Sequence, residues 1–218
     1  MLTLPRPLPT PRSTNSGALS AALLALLVVV GLIVLGLGLS VGSYNGLQAR
    51  KTAVEQKIAA LDSTYKRRFD LIPNLVETVK GAADFEQTTL QNVVEARAGV
   101  GRATLPADVT DPAQMEAYLK AQATLGGALS RLLVVAEQYP ALKATQQFGE
   151  LQAQLEGTEN RINVARSDWT VAVAAYNTKL RSFPGNVIGG MFGFAELPQY
   201  KAEETERVVP KVDFGSKQ

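Results

Sequence analysis

Two groups of charged residues in this chain have the types and spacing that acid/base or metal chemistry requires. Residues 66–68 read KRR and are followed by Asp70, whereas Glu156 and Glu159 are three apart and therefore share one side of a helix. If the fold brings these groups together, the carboxylates could form an acid/base pair or a cation site. The same residues could instead neutralise one another inside a helical protein.

The chain contains neither His nor Cys. Ser-His-Asp and Cys-His catalysis, structural zinc, Glu-x-x-His di-iron sites and haem-His ligation are therefore excluded in their usual forms, as are disulfides. Carboxylates perturbed by neighbouring cations are common in proteins where they have no catalytic role. We therefore predict no catalytic residue, no cofactor and no metal, and we expect a protein that is not an enzyme.

The charge balance argues against nucleic-acid binding. The first acidic residue is Glu55, and Arg6 and Arg12 are the basic residues before residue 18, so residues 18–218 have 22 − 2 = 20 basic residues against 20 acidic ones. Duplex binding relies on a concentrated basic surface that displaces counterions. We therefore predict no nucleic-acid partner.

An apolar segment near the N-terminus is long enough to cross a membrane. Residues 18–41 carry no charge and are mostly Leu, Val, Ala and Gly. At about 1.5 Å per residue they reach about 36 Å, which exceeds the hydrocarbon thickness of a bilayer. A cleaved signal peptide is the alternative, but its apolar region is usually shorter. We assign residues 1–17 to a polar, proline-rich tail and residues 18–42 to a transmembrane helix, with the lipid bilayer as a partner.

The charges that flank this segment give a small bias toward a cytoplasmic C-terminal domain. The upstream side offers Arg6 and Arg12, whereas the downstream side offers Arg50, Lys51 and Lys57. The flank with more positive charge tends to remain in the cytoplasm. The opposite orientation stays open.

Beyond residue 42 the apolar residues recur at helical spacing. The stripe of the first helix comprises Leu47, Val54, Ile58, Leu61, Tyr65, Ile72, Leu75 and Val79. Lys51 and Arg68 fill its missing positions. Pro73 cannot donate a hydrogen bond to Phe69, so we expect the helix to kink or to restart there, with Asp70 as the cap of a restarted helix.

Three further helices follow, roughly over residues 85–100, 112–139 and 148–182. Asp111 is the expected N-cap of the second of these, and Thr158 interrupts the apolar face of the third. Strand patterns are almost absent. We therefore predict an all-α fold, with an N-terminal transmembrane helix and an antiparallel four-helix bundle over residues 43–182 whose first and last helices are long.

The C-terminal residues 183–218 form a Gly/Phe segment followed by a mobile charged end. Its many glycines predict no stable helix. The large apolar residues in this segment are Phe183, Met191, Phe192 and Phe194. They could cover one end of the bundle, enter the membrane interface or dock on a neighbouring subunit, and the sequence does not choose between these placements.

Four stretches of the chain together resemble one known family. They are SYNGLQARK, YKRRFDLIPNLVETVKG, YPALKATQQFGELQAQLEGTENRINVAR and YNTKLRSFPGNVIGGMFGF. Over about residues 43–194 the chain closely resembles the LemA family of single-pass bacterial membrane proteins. The resemblance implies a membrane helix followed by a four-helix bundle, and no established enzymatic activity. The family includes relatives associated with envelope processes and with magnetosome membranes. The long proline-rich tail and Trp169, where tyrosine is more usual, depart from its pattern.

Arg68 follows the apolar stripe inward and therefore needs an anionic or acceptor partner, because an unpaired buried charge costs several kcal/mol. An antiparallel neighbour could bring Arg67 or Arg68 onto Glu156 or Glu159, while Lys66 stays in solvent. We predict a structural polar layer that fixes the register between helices. Its candidate members are Arg67, Arg68, Asp70, Glu156, Thr158, Glu159 and Asn160.

These observations favour a non-enzymatic, membrane-anchored helical scaffold or adaptor of the bacterial cell envelope. We expect it to form homo-oligomers and to recruit unidentified envelope proteins. The expected location is the inner (cytoplasmic) membrane, with the bundle on the cytoplasmic side and the periplasmic or external side still open. The alternative is a ligand- or peptide-binding sensory module that signals by a helix shift.

Overall fold

A computed structural model describes residues 16–82 and 85–198 of the chain, with side chains from residue 23 onward. Over these ranges all regular secondary structure is α-helical, which confirms the predicted all-α class. The helices are α1 (Ser16–Lys80), α2 (Gln87–Arg102), α3 (Pro112–Ala136), α4 (Pro140–Lys143), α5 (Gln146–Arg181) and α6 (Gly185–Phe192). Most of the proline-rich tail and the charged C-terminal end lie outside the described residues.

The sequence predicted a transmembrane helix and four bundle helices, whereas the structure describes six helices. The apolar segment and the first bundle helix are one helix, α1, and two short helices were not expected. The one-turn α4 begins at Pro140 and leads the chain from α3 into α5. The eight-residue α6 follows α5 and contacts both α1 and α5. The predicted N-cap of α3 is confirmed, since the Asp111 side chain accepts hydrogen bonds from the backbone N–H groups of Ala113 and Gln114.

Helix α1 contains both the apolar segment and the first helix of the globular part without an interruption. Its large apolar side chains from Leu23 to Val41 are exposed and pack against nothing else in the structure. In the part of the chain that the structure describes, α1 is the one helix long and apolar enough to cross a membrane. Burial begins at Ser43 and Leu47, immediately beyond the apolar segment.

Of the two outcomes expected at Pro73, a kink or a restart, the restart is wrong, since α1 continues through Pro73 and Asp70 therefore caps no helix. The missing N–H of Pro73 leaves the carbonyl of Phe69 without its usual helical donor. Arg97 of α2 approaches that carbonyl, with its Nε 3.5 Å from the oxygen, and its guanidinium stacks 4.0 Å from the centre of the Phe69 ring. Burial of the surrounding apolar residues offsets the lost bond. These residues are Ile72, Leu75, Val76 and Val79.

Two hydrophobic cores lie one beyond the other along the helices. The proximal core, nearer the apolar segment, contains Leu47, Val54, Ile58, Leu61, Tyr65, Val109, Met115, Tyr118, Ile162, Trp169, Val173, Tyr176, Leu180, Ile188 and Leu197. The distal core contains Ile72, Leu75, Val76, Val79, Phe85, Val93, Ala96, Leu125, Leu129, Leu132, Ala136, Leu142, Phe148, Leu151 and Leu155. Both α1 and α3 pass from the proximal to the distal core, whereas α5 runs the opposite way.

The expectation that the C-terminal glycines prevent a helix is wrong. Helix α6 packs closely on α5 because Gly185 and Gly189 have no side chains: a methyl group at Gly185 would overlap the backbone oxygen of Lys179, and one at Gly189 would overlap Leu180 Cδ1. Close packing thus offsets the intrinsic helix penalty of about 1 kcal/mol per glycine. The preceding Phe183–Pro184 peptide bond is cis, and Gly193 ends α6 in the left-handed region with φ of 73°.

Candidate functional site

A buried arginine lies at the level where the two cores meet. Arg68 of α1 is only 2% exposed and follows Tyr65 and precedes Ile72 in the buried stripe. Its Nη1 donates to Glu159 Oε2 of α5 at 3.0 Å. Its Nη2 donates to both the backbone oxygen and the side-chain Oε1 of Gln122 in α3, at 2.9 and 3.0 Å. One guanidinium therefore joins three helices.

The pocket around Arg68 is shaped for a planar cation. The guanidinium carbon lies 5.1 Å from the centre of the Tyr65 ring, within the range of a cation–π contact. On the α3 side, a methyl group at Gly126 would come within 3.3 Å of Arg68 Nη1. Glycine at this position therefore allows the guanidinium to reach the backbone of α3.

A second polar contact lies on the proximal side of this layer. The Tyr118 hydroxyl of α3 donates to Asp62 Oδ1 of α1 at 2.7 Å, and the Tyr118 ring meets the Tyr65 ring edge-on at 6.0 Å. Burial raises the pKa of Tyr118 well above its usual range, and the hydrogen bond to Asp62 raises this pKa further. Arg166 of α5 donates to the Tyr65 hydroxyl at 3.4 Å.

The structure brings two of the seven predicted layer residues into contact, Arg68 and Glu159, and a third, Thr158, is buried next to Glu159 in α5. Arg68 and Thr158 are buried and Glu159 is half-buried at the junction of the cores; the Thr158 hydroxyl donates to Gln154 O within α5. The other four are exposed because each residue turns a helix by about 100°, which carries the neighbours of a buried position outward. They are Arg67, Asp70, Glu156 and Asn160.

The exposed residues have contacts of their own outside the layer. Glu156 accepts a hydrogen bond from Gln152 one turn earlier in α5, at 3.0 Å. Arg67 and Asp70 line a shallow cleft between α1 and α5, together with Lys66 and Arg161. This cleft is open to solvent.

The sequence reasoning missed Gln122, although a signal for it was present. Gln122 comes four residues after Tyr118 and three before Leu125, so it occupies the seam position of α3 that an apolar residue would otherwise fill. Arg68 and Thr158 occupy the corresponding positions in their own helices. Each of these three helices thus has a polar residue where its buried stripe would otherwise have an apolar one, and this pattern can be detected in the sequence. The use of the Gln122 backbone oxygen as an acceptor cannot.

The layer can neutralise a buried cation and distinguish one helix register from another. The described residues contain no group of three or more Asp or Glu side chains arranged to hold a metal ion. If α5 slid by one heptad, Gln152 or Arg166 would take the place of Glu159, and Arg68 would lose its carboxylate. The arrangement of Arg68, Glu159 and Gln122 neutralises a buried charge between helices.

The large apolar residues of the C-terminal segment lie at the other end of the proximal core. Phe183, Met191 and Phe192 are exposed, whereas Phe194 is partly buried. The Tyr44 ring of α1 meets the rings of Phe192 and Phe194 edge-on, with centroid distances of 5.0 and 5.6 Å. The C-terminal segment thus lies beside the point where α1 leaves its apolar stretch.

Comparison with known proteins agrees with the expected resemblance. The chain is 26% identical over 223 aligned positions to magnetosome protein MamQ 2 of Paramagnetospirillum magneticum, covering 93% of this chain and 81% of that protein. It is 22% identical over 168 positions to protein LemA of Metamycoplasma hominis, covering 77% and 73%. The model of the LemA family matches residues 57–214. That match includes the buried arginine, its partners on α3 and α5, and the C-terminal helix, and the chain therefore belongs to the LemA family.

Proposed function

We propose that this protein is a non-enzymatic scaffold or adaptor held at a bacterial membrane by α1, with α1, α2, α3 and α5 forming an antiparallel four-helix bundle. The observation that carries the proposal is the continuity of α1 from its exposed apolar stretch into the buried seam of the globular part. A helix without a break transmits the orientation of its membrane segment directly to the domain. Such a connection suits a protein that presents surfaces at a fixed height and direction.

Self-association is part of the same proposal. The apolar stretch of α1 packs against nothing else in the described chain, and its glycines leave open space where a second helix could approach closely. These glycines are Gly31, Gly36, Gly38 and Gly42. The relatives named magnetosome proteins support a role in organising a larger assembly, which would recruit further envelope proteins through the bundle.

We place the protein in the inner membrane with its bundle on the cytoplasmic side. The support is the larger number of basic residues on the C-terminal flank of the apolar stretch, where Arg50 and Lys51 lie just beyond it in α1. Protease treatment of intact and permeabilised cells tests this placement. Cleavage of the bundle only after permeabilisation of the inner membrane supports it, whereas cleavage once the outer surface alone is opened contradicts it.

The scaffold itself is tested with the full-length protein in nanodiscs and in detergent. We expect sedimentation to give a discrete oligomer, and crosslinking in cells to trap the same oligomer together with envelope proteins. Resistance of the protein to extraction at high pH supports the membrane helix. A strict monomer that crosslinks to no partner would contradict the scaffold while leaving the anchor intact.

The alternative function is a sensory module that binds a small molecule or peptide. One observation favours it: a solvent-open groove between α2 and α3 is lined by side chains of both charges, Glu95, Arg102 and Arg131. A ligand that bridged these helices could shift one against the other. A ligand-dependent rise in melting temperature, lost when Arg131 is replaced by Gln, would favour this function over the scaffold.

A further inference from the structure

We propose that α6 and the aromatic residues beside it form a second membrane contact, which lies flat in the interface of the same bilayer that α1 enters. This inference rests on the proposed membrane span of α1 and adds a membrane contact made by residues outside that span. The partner of this contact is the lipid, at the boundary between the headgroups and the acyl chains. The contact surface consists of Phe183, Val187, Met191 and Phe192, which we call the α6 apolar face.

The α6 apolar face is unusually exposed for residues of its size. Phe183 is 80% exposed, Met191 73% and Phe192 59%. The segment carries no charged residue between Arg181 and Glu196, although the bundle surface is otherwise rich in charge. Several large exposed apolar residues on and beside an uncharged helix are typical of a contact with a partner or a membrane.

The position of this face along α1 identifies the bilayer as its partner. Tyr44 follows the end of the apolar stretch at Gly42 by two residues, a rise of about 3 Å along the helix. The Tyr44 ring lies 5.0 Å from the Phe192 ring and 5.6 Å from the Phe194 ring. Phe192 at the end of α6 and Phe194 just after it are therefore held at the depth where α1 enters the lipid, and tyrosine is itself enriched at that depth.

Hydrogen bonds hold the segment after α6 against α5 and prevent the apolar face from turning inward. The Tyr176 hydroxyl donates to Ala195 O at 2.9 Å. The buried Asn177 side chain donates to Leu197 O at 2.9 Å and accepts from Leu197 N at 3.0 Å. The buried side of α6 is formed by Ile188 with its two glycines, so Val187 and Met191 on the other side face outward. Phe192 comes four residues after Ile188 and lies against Tyr44, at the edge of the buried side.

The surrounding charges favour lipid over a second copy of the chain. Lys179 lies alongside α1, where a methyl group at Gly46 would come within 3.5 Å of its Cε, and Arg50 and Lys51 follow on the next turn. Two copies meeting through this face would bring these cations toward one another. Anionic headgroups, in contrast, are attracted to basic residues close to a bilayer surface.

The absence of Cys from the chain allows a clean test with single labels. Met191→Cys in the full-length protein is labelled with a nitroxide and reconstituted into vesicles of phosphatidylcholine with a minor fraction of phosphatidylglycerol. We expect the label to collide severalfold more often with oxygen, which concentrates in lipid, than with a water-soluble nickel chelate. A label at Val134→Cys, where Val134 is 67% exposed on α3 at the distal core, should show the reverse preference.

A third label separates this inference from the membrane span on which it rests. Leu32 lies within the apolar stretch and is 62% exposed. A label at Leu32→Cys that prefers oxygen while the label at residue 191 behaves like that at 134 would overturn the α6 contact alone. Nickel access at both 32 and 191 would overturn the span as well. Spin–spin broadening at 191 that disappears on mixing with unlabelled protein would identify a second copy, which also overturns the proposal.

Discussion

Arg68 Nη1 lies 3.0 Å from Glu159 Oε2 in an ion pair whose two partners have unequal environments: the Arg68 side chain is 2% exposed and that of Glu159 is 45% exposed. Because water reaches the carboxylate, most of the desolvation cost falls on the arginine. Gln122 supplies two neutral acceptors to the same guanidinium. Removal of the arginine and removal of the carboxylate should therefore have different consequences.

Glu159→Gln is expected to lower the free energy of unfolding by about 1 kcal/mol, because Arg68 keeps Gln122 and water can replace part of the lost contact. Urea unfolding of the full-length protein in detergent, followed by the fluorescence of the single, buried Trp169, measures this. Glu156→Gln, one turn earlier and exposed, is the matched control and should change stability by less than about 0.5 kcal/mol. Equal effects of the two substitutions would contradict a specific pair.

A pair of adjacent glycines in α3 provides a second test of the same layer. Gly127→Ala should raise stability by about 1 kcal/mol, because the site is open and alanine favours a helix. Gly126→Ala should lose that gain or lower stability, because the added methyl group would come within 3.3 Å of Arg68 Nη1. Thermal melting of both variants measures the difference. An equal gain in stability at both positions would show that the Arg68 side chain moves away from the added methyl group without loss of stability.

The expected loss at Gly126 should depend on the guanidinium itself. In an Arg68→Leu background, Gly126→Ala should recover more of the helix gain, because the Nη1 atom that it crowds is absent. The size of this recovery is the coupling between the two residues, which for directly contacting groups is on the order of 0.5–3 kcal/mol. Additive effects of the two substitutions would contradict the contact.

The sequence predicts the helices, and it places Arg68 in a buried stripe, because residues that recur every three or four positions share one face of a helix. Glu159 is identified as a candidate partner because it lies at the polar interruption of the opposing seam. Arg67 and Arg68 carry the same charge, but their side chains leave the helix about 100° apart, and only Arg68 continues the apolar stripe. The structure shows Arg67 on the outside.

The errors have a common cause in contacts between distant parts of the chain. Propensity penalises Pro73 within a helix and Gly185 at the start of one, and both penalties apply to an isolated helix. In the fold, Arg97 reaches the carbonyl that Pro73 leaves free, and α5 packs where Gly185 has no side chain. Neither compensation can be read from the local sequence.

The contact at Phe69 leads to a prediction about Pro73. Pro73→Ala restores an N–H that can bond to the Phe69 carbonyl within α1, so Arg97 becomes less important there. We expect Arg97→Gln to cost about 1 kcal/mol in the natural chain and less in the Pro73→Ala background, where only the stacking on Phe69 is lost. Urea unfolding of the natural chain, the two single variants and the double variant gives the coupling. An unchanged cost of Arg97→Gln would show that the carbonyl contact contributes nothing.

The raised pKa of Tyr118 predicts a loss of stability at alkaline pH. Burial is the main cause of the raised pKa, so the folded protein keeps the phenolic proton at a pH where the unfolded chain releases it. The contribution is fully present below about pH 10 and falls by about 1.4 kcal/mol per pH unit above it, as long as the folded state stays protonated.

Tyr118→Phe isolates this effect. At pH 8 the variant should be less stable by about 2 kcal/mol, because it lacks the hydrogen bond to Asp62. Above pH 10 the difference should shrink with rising pH, since phenylalanine has no proton to lose. Tyr176, whose pKa burial also raises, is present in both proteins and cancels. Parallel stability curves for the two proteins from pH 8 to above pH 10 would contradict the prediction.

The glycines of α6 separate packing on α5 from the general effect of an added methyl group. Gly185→Ala should lower the free energy of unfolding by roughly 2–4 kcal/mol, or detach α6, because its methyl group would overlap the rigid backbone oxygen of Lys179. Gly190→Ala places a methyl group in open space on the same helix and should be neutral or stabilising.

Limited proteolysis reports detachment of α6 as faster cleavage between residues 193 and 198. Residues 193–198 connect α6 to Leu197, which the hydrogen bonds of Asn177 hold on α5, so a detached α6 should expose these residues first. Equal protection of both variants would show that the contact of residues 193–198 with α5 is enough to hold α6.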